Sequence, residues 1–351
     1  MVDNFGDIGV VWRLARQLVV EHGATIRVFI DDLHSFNVLE PAVDTLKEQQ
    51  EVSGIAVMTW NCARALKPAN LVIEAFAVEL PEEYIAAMAA LVSPPVWLNL
   101  EYLSAEGWVG EHHLLPSPHA TFALTKYFFF PGFVQSTGGL IREGCLLGER
   151  DTFSAAREEN GLRVFMFGYP NSAANNLFRA MGESTVPVCC TVTEGALSGA
   201  IDRVRRSRPE LEGNFSLSVI PFTAQRDFDR ILWKHDVLFV RGEDSFVRAQ
   251  WAAKPIVWQI YPQSGNAHWV KMDAFLALYC DQLGDEAASA MRELWRAWNA
   301  EDYANIGAAW RGYIAHLPEL ETHATTWAVR LAQIPDLAAN LLSFYRKTTK
   351  I

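Results

Sequence analysis

The sequence has no hydrophobic run long enough to cross a membrane and no overall excess of basic residues. A transmembrane helix needs about 20 consecutive apolar residues, and Pro94 and Pro95 interrupt the best candidate. The formal net charge is −11, whereas nucleic-acid-binding domains usually carry a basic surface. We therefore expect neither a membrane nor a nucleic acid as a partner.

Cysteine is scarce, and its pattern argues against a disulfide framework. The five cysteines are odd in number and include no Cys-x-x-Cys pair, and Cys189 and Cys190 lie in an apolar run typical of buried residues. Reduced thiols predict a cytoplasmic protein. His112 and His113 lack the spaced partners of a metal site, so we expect no bound metal.

Short apolar runs alternate with amphipathic stretches along the whole chain, without an internal repeat. Such runs are typical of parallel strands buried on both faces, and their alternation with helices predicts an α/β fold. The predicted strands are Ile26–Ile30, Ile55–Trp60, Leu71–Ala75, Val96–Leu100, Leu162–Phe167, Val186–Val192, Leu217–Phe222, Val237–Val240 and Ile256–Ile260. The predicted helices include Val10–Glu21, Glu82–Leu91, Asn175–Met181, Leu197–Arg206, Ser245–Ala252 and several after Glu286.

The length of 351 residues suffices for two domains, each with its own core. A polar stretch between Gly148 and Gly161 predicts the boundary, with Rossmann-like domains over residues 1–155 and 156–334. The last helix, within residues 335–351, is expected to pack back on the first domain. Almost no strand precedes Asp3, whereas a strand usually has about five residues. The first strand is therefore expected to be truncated in this chain.

The opening segment from Asp3 to Gly9 contains carboxylates and glycines where a strand is expected to give way to a helix. Ligands of α/β folds bind at such corners. Asp7 either caps the helix predicted to start near Val10 or serves as a carboxylate that accepts a proton from a nucleophile. The segment lacks the Gly-x-Gly-x-x-Gly pattern, which disfavours NAD binding.

A second corner of this kind follows the predicted strand Val237–Val240. Glu243, Asp244 and Ser245 stand beside Arg241 at the start of a predicted helix. These residues either cap the helix or form an anion site suited to a pyrophosphate, because backbone N–H groups are free there. Two such corners predict two domains facing across a cleft, one holding an activated donor and the other supplying a base.

A third segment flanks a glutamine with two aromatic residues. Phe222 and Phe228 lie three residues on either side of Gln225. Aromatic faces can enclose a flat base while a glutamine amide reads its imide edge. The alternative is that both rings are ordinary core residues.

These motifs together resemble one family over nearly the whole chain and in the same order. Further matching segments are Trp97 to Glu106, Gly138 to Glu143, and Phe167-Gly168-Tyr169. The chain resembles the protein-arginine rhamnosyltransferases that modify bacterial elongation factor P, the EarP family. The resemblance implies a GT-B glycosyltransferase with an N-terminal acceptor-binding domain and a C-terminal donor-binding domain. It further implies dTDP-β-L-rhamnose as donor, an arginine of elongation factor P as acceptor, inversion at the anomeric carbon, and no cofactor or metal.

The resemblance also assigns roles to individual residues. Asp7 is expected to act as the base, and Asp3 and Glu243 to be important for activity. Asn4, Phe5 and Gly6 are expected to form an acceptor-side loop. The expected donor contacts are Phe222, Gln225, Phe228, Arg241, Asp244, Ser245, Tyr261 and Tyr169.

Two other functions fit the residues less completely. One is another GT-B nucleotide-sugar transferase or an epimerase, acting on a small-molecule acceptor. The other is an inactive relative that binds only a nucleotide or a protein. Turnover that requires the protein acceptor distinguishes the rhamnosyltransferase from both.

Overall fold

The computed structural model describes residues 4–63, 66–153, 161–195, 197 and 214–349. Asp3 and most of the predicted helix Leu197–Arg206 lie outside these residues, as does any strand before Asn4, which stays a prediction. The chain divides into two compact units, Met1–Gly144 with Leu331–Ile351, and Cys145–Arg330.

The first unit starts with a long helix and contains two separate sheets. Its helices before the boundary are α1 (Asn4–His22), α2 (Leu33–Leu39), α3 (Trp60–Ala63), α4 (Glu82–Ala89) and α5 (Trp108–His112). One sheet has the order β1 (Arg27–Ile30), β3 (Ile55–Thr59), β2 (Gln49–Val52), and the other β4 (Leu71–Ala75), β5 (Val96–Leu100), β7 (Thr125–Phe129), β6 (Pro116–Pro118). Only β2 and β6 run antiparallel to their neighbours in these sheets.

The second unit is built on one five-stranded parallel sheet. Its elements are α6 (Leu146–Thr152), β8 (Leu162–Met166), α7 (Ala174–Gly182), β9 (Val188–Thr193), β10 (Phe215–Ile220), α8 (Gln225–Trp233), β11 (Val237–Arg241), α9 (Glu243–Ala252), β12 (Ile256–Gln259), α10 (Ala267–Tyr279), α11 (Asp285–Asn299), α12 (Ile306–Ala315) and α13 (Leu317–Ala332). The strand order is β10-β9-β8-β11-β12, and all pairs are parallel. Val237, Leu238 and Val240 of β11 are fully buried, as expected for a central strand.

The last helix, α14 (Leu337–Thr349), completes the core of the first unit. Val10, Leu14 and Leu18 recur every four residues along α1 and form one apolar face. This face packs in one cluster with Val96, Leu98 and Leu100 of β5 and with Leu337, Ala338 and Leu341 of α14. The cluster fixes the position of α1, which carries Asp7, against β5.

Two expectations about the first unit need correction. The residues from Asn4 to Gly9, predicted as a loop, lie in α1, which begins at Asn4 and not near Val10. A glycine inside a helix costs about 1 kcal/mol. Burial of Ile8 and Trp12 on one face contributes more than this and keeps the glycine-containing turn helical.

The boundary between the units lies after Gly144 rather than at residue 155, and it returns after Arg330 rather than at 334. The reason is that α6 packs on the second unit. Arg150 donates a hydrogen bond of 2.9 Å from Nη1 to the carbonyl of Trp251. The ring of Phe153 lies 5.5 Å from that of Trp233.

Candidate active site

The second unit has a topological switch point between β8 and β11. The chain proceeds from β8 outward to β9 and β10, and then returns to place β11 on the other side of β8. In open α/β sheets, ligands bind beyond the carboxyl ends of the strands at such a point. The segment Phe167-Gly168-Tyr169 follows β8, and Arg241 ends β11.

Aromatic rings hold the Arg241 guanidinium at this point. Its Cζ lies 4.7 Å from the ring centroid of Phe167 and 4.4 Å from that of Tyr169, within the range of cation–π attraction. Tyr169 and Tyr261 are in edge contact at 5.4 Å. The sequence thus predicted Arg241, Tyr169 and Tyr261 separately, and the structure brings them together at the carboxyl ends of neighbouring strands.

The turn at Gly168 is closely packed. The Tyr169 N–H donates to Gln259 Oε1 at 2.8 Å. A Cβ on Gly168 would lie 2.6 Å from the same Oε1 and 2.8 Å from Leu197 Cδ1. Any side chain at position 168 would therefore push the Tyr169 loop away from Gln259.

The glutamine and its two flanking aromatic residues also meet at this edge of the sheet. The rings of Phe222 and Phe228 each lie 5.9 Å from that of Phe167. Gln225 is only 3% exposed, and its Nε2 donates to Asp244 Oδ2 at 3.2 Å. Phe222 and Phe228 are half-buried rather than core residues, so each retains surface on which a flat ring can stack.

The start of α9 has a backbone conformation that requires glycine. Gly242 has φ 66° and ψ −177°, in a region essentially restricted to glycine. Its carbonyl accepts a hydrogen bond of 3.1 Å from Trp258 Nε1. The half-buried Glu243, Asp244 and Ser245 form the first turn, where the helix offers backbone N–H groups to an anion.

A buried ion pair fixes α9 to α8, the helix that carries Gln225. Arg248, 1% exposed, donates two hydrogen bonds of 2.7 Å to the two carboxylate oxygens of Asp229. Gln250, which is also on α9, accepts a hydrogen bond of 2.7 Å at Oε1 from Trp327 Nε1. These contacts hold the Gln225–Asp244 pair in place.

The candidate base of the first unit lies on α1. Asp7 is 6% exposed, and the Tyr102 hydroxyl donates to its Oδ2 over a long distance of 3.3 Å. Because α1 begins at Asn4, Asp7 lies within the first turn and is not the residue that caps the helix. Phe5 and Gly6 are half-buried in the same turn, so they belong to a helix and not to a loop. Their role on the acceptor side stays a prediction.

The two other motif segments of the first unit differ in what they do. The loop from Gly138 to Glu143 joins structural elements, since Gly138 O accepts from Asn340 Nδ2 at 3.0 Å and Arg13 pairs with Glu143 at 3.2 Å. The segment from Trp97 to Glu106 supplies Tyr102 to Asp7. The motif indicated this segment, but only the fold identifies Tyr102 as the residue that reaches the carboxylate.

Within the described ranges, no group of three or more His, Cys, Asp or Glu side chains is arranged to hold a metal ion. In the same part of the chain, no helix is both long and apolar enough to span a membrane.

The chain is similar to known proteins over nearly its whole length. The family described as Elongation-Factor P (EF-P) rhamnosyltransferase EarP matches residues 1–346. The chain belongs to this family. A protein-arginine rhamnosyltransferase of Pseudomonas putida is 45% identical over 369 residues, which cover 99% of this chain and 97% of that protein.

Solved structures agree with this assignment. A structure described as the basis for EarP-mediated arginine glycosylation of translation elongation factor EF-P has a TM-score of 0.67 and 33% identity, with 97% of this chain and 95% of that chain covered. The MurG structure of Acinetobacter baumannii, at 13% identity and a TM-score of 0.50, covers 99% of this chain and 96% of that one and shares the fold. The enzyme is thus a protein-arginine rhamnosyltransferase with the α/β architecture of GT-B glycosyltransferases.

Proposed function

We propose that the enzyme transfers L-rhamnose from dTDP-β-L-rhamnose to an arginine side chain of translation elongation factor P in the cytoplasm, with inversion and without a metal. The observation that carries the donor assignment is the grouping of a buried glutamine, half-buried aromatic rings and a helix start at the switch point of the second unit. The family match supports the acceptor assignment.

The thymine ring of the donor would stack on Phe222 and Phe228, and the amide of Gln225 would read its imide edge. A thymine imide offers one N–H donor between two carbonyl acceptors, and a glutamine amide can complement both kinds of group. The Gln225–Asp244 hydrogen bond orients that amide.

The diphosphate of the donor would lie at the start of α9. Arg241 supplies a positive charge that two aromatic rings already hold in place. Ser245, Tyr169 and Tyr261 add hydroxyl groups that can donate to phosphate oxygens. These groups would stabilise the negative charge that grows on the leaving dTDP as the glycosidic bond breaks.

The acceptor chemistry requires a carboxylate, because a guanidinium is a weak nucleophile with a delocalised charge and a pKa above about 12. Asp7 would hold the guanidinium by charge-assisted hydrogen bonds. Asp3 and Glu243 are the two other carboxylates proposed to be important for activity. One nitrogen forms the bond to the anomeric carbon while the bond from that carbon to the diphosphate oxygen breaks. The electron pair leaves with dTDP, and the proton lost by the nitrogen passes to Asp7.

The decisive experiment is intact-mass spectrometry of elongation factor P after incubation with the enzyme and dTDP-β-L-rhamnose. We expect a mass increase of one deoxyhexose, and no increase when the acceptor arginine is replaced by lysine or the donor by UDP-glucose. Transfer to a small molecule but not to the protein would support the alternative transferase. Tight dTDP binding without any transfer would support the inactive relative.

A further inference from the structure

The carboxylate of Asp7 is almost completely buried, although a carboxylate in such a place needs hydrogen-bond donors to remain charged. The hydroxyl of Tyr102, from the segment that follows β5, donates a hydrogen bond of 3.3 Å to Asp7 Oδ2. Catalytic hydrogen bonds are often long in a free enzyme and shorten when the substrate binds. The distance is therefore compatible with a role in catalysis.

The ring of Tyr102 packs against a second aromatic ring. It stacks on Phe76, with ring centroids 4.6 Å apart and planes inclined by 27°. Phe76 directly follows β4, and its N–H donates to the carbonyl of Leu100 at the end of β5 over 2.8 Å. The ends of β4 and β5 are thus joined by this hydrogen bond, and the Phe76–Tyr102 stack extends from the same place.

The turn after β4 has an unusual backbone. Phe76 has φ 59° and Ala77 has φ 56°, so two consecutive residues other than glycine lie in the left-handed region. Bulky residues there are genuine outliers, and each costs about 1–3 kcal/mol. Such strain persists where the surrounding structure enforces it, and it concentrates at functional sites. Here the strained turn places the ring of Phe76 against Tyr102.

We propose that Tyr102 is a positioning residue for rhamnosyl transfer. Its hydroxyl orients the Asp7 carboxylate and keeps it ionised, and Phe76 holds the tyrosine ring in the required place. This inference rests on the proposed role of Asp7 as base. It assigns a function to one residue of the segment from Trp97 to Glu106, which the sequence indicated only as a motif.

Two charged residues lie close in sequence to this pair, and each has a partner of its own. Glu101 lies beside Tyr102 and accepts a hydrogen bond from Asn99. Further along α1, Arg13 is paired with Glu143. A hydrogen bond donated to a carboxylate lowers its pKa, and the loss of that bond raises it. The acidic limb of the pH–rate profile should therefore shift when the Tyr102 hydroxyl is removed.

The test compares Tyr102→Phe, which keeps the ring and deletes the hydroxyl, with the wild-type enzyme. We expect kcat to fall by about 10- to 100-fold, as for a slightly misplaced catalytic group, with KM for dTDP-rhamnose unchanged. The acidic limb of the pH–rate profile should move to higher pH. Phe76→Leu should lower kcat in the same way, and Phe76→Tyr, which keeps the stack, should restore it.

The matched control is Tyr84→Phe, which removes the hydroxyl of another buried tyrosine in the same unit. We expect wild-type kcat, KM and pH profile for that variant. A ¹³C NMR titration of the Asp7 carboxyl, assigned with Asp7→Asn, gives a readout that does not depend on turnover. A pKa of Asp7 that is the same in Tyr102→Phe and wild type overturns the inference. An absence of transfer by the wild-type enzyme contradicts the proposed function instead.

Discussion

Asp7 is the residue on which the proposed chemistry depends most. It lies on α1 in the first unit, while the proposed donor contacts lie in the second. Replacement of Asp7 by asparagine should lower the rate of transfer by about two to four orders of magnitude, the usual effect of losing a positioned base. The affinity for dTDP should hardly change.

The rate is measured by intact mass of elongation factor P, and the affinity by calorimetry. Asp281→Asn, at an exposed position of the second unit, is the matched control. A folded Asp7→Asn enzyme with wild-type turnover would show that another group is the base.

The two residues proposed to recognise thymine make separable contributions. Phe228→Ala should weaken dTDP binding through the lost stack, which is worth about 1–3 kcal/mol. Gln225→Ala should reduce the preference for dTDP over other nucleoside diphosphates. Calorimetric titrations with dTDP and with dCDP, whose base lacks the imide edge, measure both effects.

The control for the stacking experiment is Tyr303→Ala, which removes an exposed aromatic ring from the same unit. Thermal melts establish that each variant is folded. Unchanged dTDP affinity in Phe228→Ala and in Gln225→Ala would place the base-binding site elsewhere.

Helices α8 and α9 work as one element because a buried ion pair joins them. Removal of one partner from a buried pair costs about 3–5 kcal/mol, since the other charge is left without compensation. Arg248→Met should therefore lower the melting temperature and weaken dTDP binding, because the Gln225–Asp244 contact depends on the helix pair. Thermal melts and calorimetry measure the two effects.

The double variant Arg248→Met/Asp229→Leu is the informative companion. It replaces both charges by apolar groups, which is often neutral for stability. We expect it to recover most of the lost stability. If it is as unstable as the single variant, packing rather than charge pairing makes Arg248 important.

The elements that could be predicted from the sequence are those with a largely apolar sequence. Strands β4 and β5 have the predicted bounds, because Leu71–Ala75 and Val96–Leu100 are rich in apolar residues. Strand β2 was missed, since only Val52 of its four residues is buried. Strand β6, Pro116–Pro118, was missed because proline is confined to edge strands, which periodicity does not reveal.

The candidate site was predictable only in parts. Gln225 and Asp244 were each indicated by their local motif, but their hydrogen bond depends on how α8 packs on α9. Tyr102 is separated from Asp7 by 95 residues. No local pattern indicates that contact, which arises from the packing of α1 against β5.

At the scale of the whole molecule, acid should destabilise the fold in two steps. Burial lowers the pKa of His113 to about 4, and its Nδ1 accepts a hydrogen bond from the Phe130 N–H. The unfolded state binds a proton below about pH 6.5 and the folded state only below about pH 4. The free energy of unfolding should therefore fall between those pH values.

Asp236 accounts for the second step. Burial raises the pKa of Asp236. The hydrogen bonds from Arg163 and the charge of Arg163 lower this pKa by more than burial raises it, so the net shift is downward. Its stabilising contribution is present above the unfolded pKa of about 3.9 and is lost as the pH falls through the folded value. Denaturant unfolding from pH 7 to pH 3 measures both steps.

Two variants assign the steps. His113→Asn should reduce the loss of stability between pH 6.5 and pH 4, to which His235 and His323 also contribute because burial lowers their pKa. Asp236→Asn should flatten the curve below pH 4. If the wild-type stability is constant from pH 7 to pH 5, the burial of His113 does not control acid stability.

The division of the first unit into two sheets has a consequence for how it fluctuates. Among the described residues, β1 pairs only with β3 and β4 only with β5, so each strand has one edge that is not paired with another described strand. Amides at such an edge exchange their hydrogens faster than those of β8 and β11, which lie between two strands. Helix α1 contacts β1 and packs in one cluster with Leu71 and Ile73 of β4, so it connects the two sheets. Leu14→Ala leaves a cavity in that cluster and should lower the free energy of unfolding by about 2–5 kcal/mol. Hydrogen–deuterium exchange should then become faster in both β1 and β4 and stay unchanged in β8. The helix that carries the proposed base would then also be the element that sets how often the first unit opens.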